Sequence, residues 1–526
     1  MTIAARLRTY GPPALLAGYL LLRLRNNLFE NDELQHLHVV WSWTRGLVQY
    51  KDVFDNHAPL YHLLAGAVLR LSGAGSAAGW LLPARSLSLA VFAGLLAAAY
   101  RLSQKVFGLE PGEALTAACL LGASAPFMAM AARPEPLWLL FFFLSLLLFS
   151  GDKTGPGRAF LAGLANGAGA AVSLKTAALL LPAQLLALAA LALARRSRPD
   201  WKAAPAFAAG LAAVPTAVLA YFAHLDALRE LLYYAFTYNT SGAPMSVTAA
   251  KAALLAAAAA AAVPLLRLLA RRAGDALFFY AATALFLGLL LAVYPVMEHQ
   301  TVLPLRLLLY LAAAAGAARL FRYLPGTDGQ AALAFLFCAV LAAQLFNTAA
   351  LERRDAGQLA YLERVRSLAG DGGYVMDAKG ESVFGRRPFY YGLELLALRR
   401  LAAGEIADDI PERLRATETK LALLWLSARF SARDLAFIRS NYLPLPAPYE
   451  SLYAAGREVP LSGGRGAFSV EIPAEYAVSC AGGGLPALDG RPAEPYARLE
   501  AGSHTAAAGP ACGTVKLLWA RATEAP

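Results

Sequence analysis

The stretch "FENDELQHLHVVW", Phe29 to Trp41, sets Asp32, Glu33, His36 and His38 within a few residues of one another, directly after the first apolar run. If this stretch is helical, Asp32 and Glu33 lie one turn from His36 on one face. A carboxylate facing a low-dielectric headgroup region can serve as a general base, because desolvation raises its proton affinity. The same residues could instead be solvated loop acids. They could also hold a divalent metal through Asp32 or Glu33 with His36. His36 and His38 are two residues apart and cannot share a helix face, which argues against a two-histidine metal site. Arg306 is a second chemical candidate. It lies about one and a half turns into an apolar run, roughly 7–8 Å at helical rise, where an arginine should face a helix bundle or a cavity.

These residues need elements to hold them, and the composition says which. The 526 residues are 58% hydrophobic and only 16% charged, with a mean hydropathy of +0.47. A soluble chain of this length needs more charge for its surface. Runs such as "PLWLLFFFLSLLLFS" (136–150) recur along residues 1–350 and predict a polytopic bundle of membrane helices. About 11 spans are expected. They fall at 10–24, 83–101, 112–131, 136–150, 159–174, 176–194, 203–223, 248–268, 275–296, 301–319 and 331–349. "PLYHLLAGAVLRLSG" (59–73) is assigned to a helix along the interface, or to a re-entrant pair; further spans would bring the total to about 12–13.

The net charge of +11 follows from lysines and arginines at the ends of apolar runs, so nucleic acid is set aside. If Arg6 and Arg8 are cytoplasmic, so are Arg101, Lys105, Lys153, Arg158, the "RRSR" at 195–198, Arg271, Arg272, Arg319 and Arg322. All 7 histidines then fall outside, at positions 36, 38, 57, 62, 224, 299 and 504, together with the tail. The N-terminus reads as an uncleaved first helix, since no small-residue cleavage site follows it. Cys119 and Cys338 lie in apolar runs and read as packing residues. Cys480 and Cys512 lie in the tail, where an extracytoplasmic location would permit a disulfide.

From about residue 351 the character changes. "GGYVMDAKGESVF" and "KLALLWLSARF" read as strands and "SARDLAFIRSNY" as a helix, giving an α/β domain over 351–455. Short strands between Gly and Pro turns follow, giving a β-rich domain over 456–526.

The order of motifs resembles the GT-C superfamily of membrane glycosyltransferases, particularly the protein O-mannosyltransferases and the enzymes that transfer aminoarabinose to lipid A. A long first outer loop (26–82) carries Asp32-Glu33, then Gly46–Tyr50–Asp52, then His57 ahead of Ala58-Pro59-Leu60, where many relatives have a lysine in place of the histidine. "AARPEPLWLL" places Arg133 and Glu135 at an outer helix end, "AVSLKTAALLLP" places Lys175 at an outer turn, and "YPVMEHQTVLPLR" places His299 and Arg306 at the start of a span. The resemblance covers most of residues 1–350 and none of the tail.

The resemblance implies that Asp32 is the base, with Glu33 and Glu135 as further catalytic acids. His57, Arg133, Lys175, His299 and Arg306 are its candidate ligands for a donor phosphate, and Tyr50 and Asp52 belong to the substrate loop. Each has a plainer reading: Arg133 and Glu135 as a helix-end pair, Lys175 snorkelling to the interface, His299 as a loop residue. Tyr234 and Tyr238, in the tyrosine-rich outer loop 224–244, could stack on a sugar or form an interfacial aromatic belt. The "NTS" sequon at Asn239 lies in the same loop. No glycine-rich phosphate loop is present, in keeping with a lipid-linked rather than a nucleotide-linked donor.

The expected protein is therefore an α-helical polytopic GT-C-like membrane enzyme with a C-terminal extracytoplasmic α/β plus β-rich region, lying in a bacterial inner membrane. Its expected partners are a polyprenyl-phosphate sugar donor and a lipid, glycan or protein acceptor; a divalent metal is the one cofactor left open. A transporter or flippase of lipid-linked sugars, or a non-catalytic envelope assembly protein, are the competing readings. A transporter predicts broken or ionisable segments near mid-membrane and two related halves; neither is evident here.

Overall fold

Ten of the expected spans coincide with helices in the computed structural model. It describes residues 3–72, 75–150, 155–195, 202–241, 274–294, 299–323, 328–346, 355–370, 372–481 and 483–524, with isolated residues between 264 and 271. The expected span 248–268 and the small-residue run within it lie outside the described residues.

Among the described residues, 6 helices are long and apolar enough to cross a membrane: Ala77–Phe107, Thr176–Ala194, Ala203–His224, Asp275–Ala292, His299–Tyr323 and Gly329–Phe346. Helices Ile3–Asn26, Pro111–Ser124, Glu135–Phe149 and Pro156–Val172 occupy further expected spans, and Leu60–Ser72 is a shorter apolar helix. The span expected over 112–131 is broken into Pro111–Ser124 and Phe127–Met130. The break is at Ala125, the residue before Pro126, where the proline ring disfavours helical backbone; Ala125 has ψ 50°. Cys119 is buried as expected, whereas Cys338 is exposed on its helix.

The chain forms two compact units. One comprises Met1–Leu28, Asn56–Ser72 and Leu81–Asp355; the other comprises Phe29–Asp55, Gly73–Trp80 and Ala356–Pro526. In the first, helices Pro156–Val172 and Ala203–His224 pack backbone to backbone: a Cβ on Gly163 would lie 2.1 Å from the Phe207 carbonyl oxygen, and one on Gly210 2.1 Å from that of Phe160. Small residues at this spacing let apolar helices approach where no water drives them together. A buried polar triad ties three helices: Asn166 Nδ2 donates to Ser145 Oγ (2.7 Å), and Ser145 Oγ donates to Gln184 Oε1 (2.8 Å).

The second unit is built on sheets. Strands β1 (Val375–Met376), β2 (Leu421–Leu423), β3 (Tyr442–Pro444), β4 (Leu452–Pro460), β5 (Arg465–Val470), β6 (Ala474–Cys480), β7 (Ala487–Leu488), β8 (Arg491–Pro492), β9 (Tyr496–Leu499), β10 (Gly502–Ala507) and β11 (Thr514–Trp519) form two sheets. The larger runs β1-β2-β4-β11-β6-β9, with β3 also on β4; the smaller runs β5-β10-β7-β8. β4 pairs with β2 on one side and β11 on the other, so one sheet runs through the division expected at 455/456. Helix Asp355–Ala369 covers it, with Tyr361, Val365 and Leu368 at helical spacing over Val375, Leu421 and Leu452. Cys480 and Cys512 are disulfide-bonded.

The same helix stitches the first outer segment into this unit. Gln358 accepts from Phe29 N (2.7 Å) and donates to Phe29 O (3.2 Å), while Glu363 accepts from Ala77 N (2.6 Å).

Candidate functional site

The sequence-predicted residues divide between the two units. In the helical unit, Arg133 sits before Pro134 and Glu135 opens helix Glu135–Phe149, with Pro136 in its first turn. A proline disfavours helix in the residue before it, so Arg133 is held just outside the helix. An acid in a first turn also suits the helix dipole. Arg133 forks onto Glu135, Nε to Oε2 at 3.2 Å and Nη2 to Oε1 at 2.9 Å, with side-chain exposures of 12% and 6%. Lys175 precedes a π-helical turn, Thr176–Leu180; such turns often mark functional positions.

Gln300 joins these elements. Lys175 Nζ donates to Gln300 Oε1 at 3.3 Å. Turned over, the same amide instead donates to Glu135 Oε1 at 3.2 Å and accepts from Arg133, giving up the bond from Lys175. His299 is the neighbouring residue, and two turns along its helix Arg306 Nη1 lies 2.9 Å from His299 Nε2. Arginine only donates, so that nitrogen accepts. The buried Arg306 Nε has no hydrogen-bond partner among the described residues. Arg133, Glu135 and Lys175, from two separated stretches, thus gather around Gln300, a residue that sequence reasoning passed over, and the pair His299–Arg306 starts at the residue before it. A small, largely apolar cleft opens beside it, lined by Leu64, Leu87, Ser88, Val91, Arg133 and Leu137.

His57 lies in the loop that precedes helix Leu60–Ser72 of this unit. Its neighbour Asn56 donates to Asn239 Oδ1 (3.1 Å), and Asn239 Nδ2 donates to Asn56 O (2.6 Å). The contact joins the "DNHAPL" loop to the tyrosine-rich helix, where Tyr238 is buried and Tyr234 packs against it at 5.9 Å. The sequon asparagine is thereby engaged within the fold.

In the other unit, Asp32 and Glu33 open helix Asn31–Thr44, whose residues Glu33 to Trp43 are all buried. Glu33 and His36 are buried and Asp32 is partly exposed. Among the described residues no group of three or more His, Cys, Asp and Glu side chains could hold a metal ion. Asp32 pairs with Lys379, whose side chain is 5% exposed against 44% for Asp32. The turn after the helix fixes the other motif residues. Tyr50, buried at φ 70°, accepts through its carbonyl from the Tyr390 hydroxyl. Asp52 accepts from Val48 N at 2.8 Å.

Lys379 rises from a tightly bonded loop that follows β1. Asp377 accepts from Gly380 N (2.7 Å), Ser382 N (2.9 Å), Ser382 Oγ (2.5 Å) and Arg387 Nε (2.8 Å). Glu381 accepts from Ala378 N (3.1 Å) and Lys379 N (2.7 Å). Burial, reinforced by the nearby Asp377 charge, pushes Glu381 up to about 7. His38 Nδ1 donates to Val383 O at 3.0 Å, and burial pulls its pKa below the ordinary histidine value. Sequence reasoning treated this loop only as a strand. The signal was the density of charge between Asp377 and Arg387, with glycines at 380 and 385, in an otherwise apolar chain.

No family model matches the chain, and no curated protein does. Among solved structures it resembles ArnT from Cupriavidus metallidurans in the apo state, at 12% identity and a TM-score of 0.57 over 86% of this chain and 98% of that one. The same protein bound to undecaprenyl phosphate gives 12% identity and 0.53, over 85% and 98%. A Saccharomyces cerevisiae protein O-mannosyltransferase, Pmt1-Pmt2 bound to the sugar donor, gives 18% identity and 0.33 over 43% of this chain; the chain spans only 35% of that one. The likeness to ArnT is one of fold, in a chain with helices apolar and long enough to span a membrane and a C-terminal β-rich region.

Proposed function

We propose that this protein is a membrane glycosyltransferase that moves a hexosyl- or pentosyl-type sugar from a polyprenyl-phosphate donor to a lipid, glycan or protein acceptor. The observation that carries the reading is the cation group around Gln300, Arg133 with Lys175 and Arg306 with His299, in a chain with the fold of ArnT, a protein that binds undecaprenyl phosphate. A donor of this kind holds its phosphodiester at headgroup level with its tail in lipid. The apolar cleft beside Arg133 suits the first units of such a tail.

In the reaction, an acceptor hydroxyl attacks the anomeric carbon and the bond from that carbon to phosphate oxygen breaks. Asp32 takes the hydroxyl proton, and polyprenyl phosphate leaves with the electron pair. Cations suited to bidentate phosphate contact stabilise the charge that develops on the leaving group. A single displacement inverts the anomeric configuration. The distribution of basic loops supports an outer-face site, which this reading assigns to a bacterial cytoplasmic membrane.

The test is transfer in proteoliposomes supplied with a mixed pool of polyprenyl-phosphate sugars. Asp32→Asn should lower turnover about 10²- to 10⁴-fold, the usual worth of a general base, with lipid-donor binding retained. Arg133→Gln and Lys175→Gln should weaken donor binding. Undiminished turnover in Asp32→Asn removes it as the base and shifts that role to Glu33 or Glu135. Translocation of lipid-linked sugar without transfer would decide for a transporter.

A further inference from the structure

Asp32 and Lys379 are 347 residues apart in sequence, and nothing in the first outer loop announces the lysine. Burying an ammonium costs several kcal/mol unless an anion compensates it. Two carboxylates lie on Lys379's own loop, but both are occupied. Asp377 is held by two backbone N–H groups, the Ser382 hydroxyl and Arg387; Glu381 is held by two backbone N–H groups. Among the described residues, Asp32 Oδ1 is the one acceptor of Lys379 Nζ. The loop is also locked against the helix that bears Asp32. Gly380, at φ +98°, has His38 ring atoms 3.0 Å from where a Cβ would stand, and His38 is bonded to Val383 O. A tightly bonded loop therefore delivers a buried cation to the more exposed acid of the Asp32-Glu33 pair.

We propose that Lys379 is the positioning residue and counter-ion of Asp32 in the transfer reaction. This rests on the reading of Asp32 as the base. Lys379 fixes one carboxylate oxygen and keeps the group ionised, ready to accept the proton of the acceptor hydroxyl. Once Asp32 is protonated, the ammonium beside it is uncompensated. This drives the acid to release its proton to water and resets the base. The other titratable or charged groups on the two elements are Glu30, Glu33, His36, His38 and the C-cap Arg45 on the helix side and Asp377, Glu381, Arg386 and Arg387 on the loop side.

The test compares Lys379→Met and Lys379→Arg, as full-length proteins in proteoliposomes, with wild type and Asp32→Asn. Lys379→Met should lower kcat about 100-fold, the cost of a misplaced reacting group, with the KM for lipid donor unchanged. The acid limb of its pH–rate profile should move up by about 1 unit or more, as expected when a carboxylate loses an adjacent cation. Lys379→Arg should restore most of both. An activity-independent readout is the infrared carboxyl band that vanishes in Asp32→Asn, followed against pH. Its midpoint should rise in Lys379→Met. A midpoint and an acid limb unmoved by Lys379→Met overturn the counter-ion role. Normal transfer by Asp32→Asn instead overturns the base assignment, and with it any part for Lys379 in the reaction, wherever the infrared midpoint lies.

Discussion

Gly380→Ala tests how firmly the Lys379 loop is held. The residue has φ +98°, and an added Cβ would meet His38 Cβ and Cδ2 at 3.0 Å and Cγ at 3.1 Å. His38 cannot readily retreat: it is buried, bonded to Val383 O at 3.0 Å and stacked on Trp41 at 5.9 Å. The backbone term costs about 1–2 kcal/mol and forcing atoms into a packed interior about 1–3 kcal/mol, so roughly 3 kcal/mol is expected in all. At about 1.4 kcal/mol per decade, amides of residues 375–387 should exchange with deuterium about 100-fold faster in the full-length protein. Gly404→Ala is the control, with φ +72° and no atom within 4 Å of its Cβ position. It carries only the backbone term and should accelerate exchange in its own loop about tenfold. Equal effects at the two sites would refute the claim that the His38 ring locks the loop.

Glu381 is raised to about 7, so the folded state binds its proton more tightly than the unfolded chain does. Protection of the 375–387 amides should therefore fall as pH rises from the ordinary glutamate range through about 7, and Glu381→Gln should flatten that dependence. His504 Nδ1 lies 2.7 Å from Asp489 Oδ2; the histidine is raised by the aspartate despite partial burial, and the aspartate is lowered by the histidine and by Thr505 N–H. The pair should contribute up to about 1 kcal/mol between the two titrations, lost upward through the raised histidine and downward through the lowered aspartate, which a chemical-shift titration of His504 would follow. Reducing Cys480–Cys512, which closes a 32-residue separation, should destabilise the β-rich part by about 2–5 kcal/mol, read as faster exchange in β6 and β11.

The helices were legible because long apolar runs have few alternatives to a buried or lipid-facing helix. The span expected over 112–131, which is broken in two, contained its own correction in Ala125-Pro126. Cys338 was misjudged because an apolar run does not reveal which side of a helix faces its neighbours. Motif order brought out Arg133, Glu135, Lys175, His299 and Arg306, yet not Gln300, since an amide carries no charge to draw the eye and acts here only by standing among ions. The positive φ of Tyr50 and its bond to Tyr390 were equally out of reach, because they depend on residues some 340 positions away.

That distance bears on what a catalytic motif can say. "Asp-Glu" at the start of a helix specifies a carboxylate near a dipole that favours its ionised form, and any chain with that pair shares this much. What distinguishes one such acid from another is the charge set beside it, and for Asp32 that charge is supplied from the C-terminal region. The C-terminal region is therefore no appendage to the proposed chemistry. Segment 29–55 belongs to the same compact unit as residues 356–526, and Gln358 and Glu363 bond the backbone of Phe29 and Ala77. Replacing residues 356–526 with the C-terminal region of another protein of this fold should then abolish transfer even where the graft folds, unless the graft restores a cation to Asp32. Grafts that keep the span helices intact, bind lipid donor normally and still turn over without such a cation would show that the first loop carries its chemistry alone.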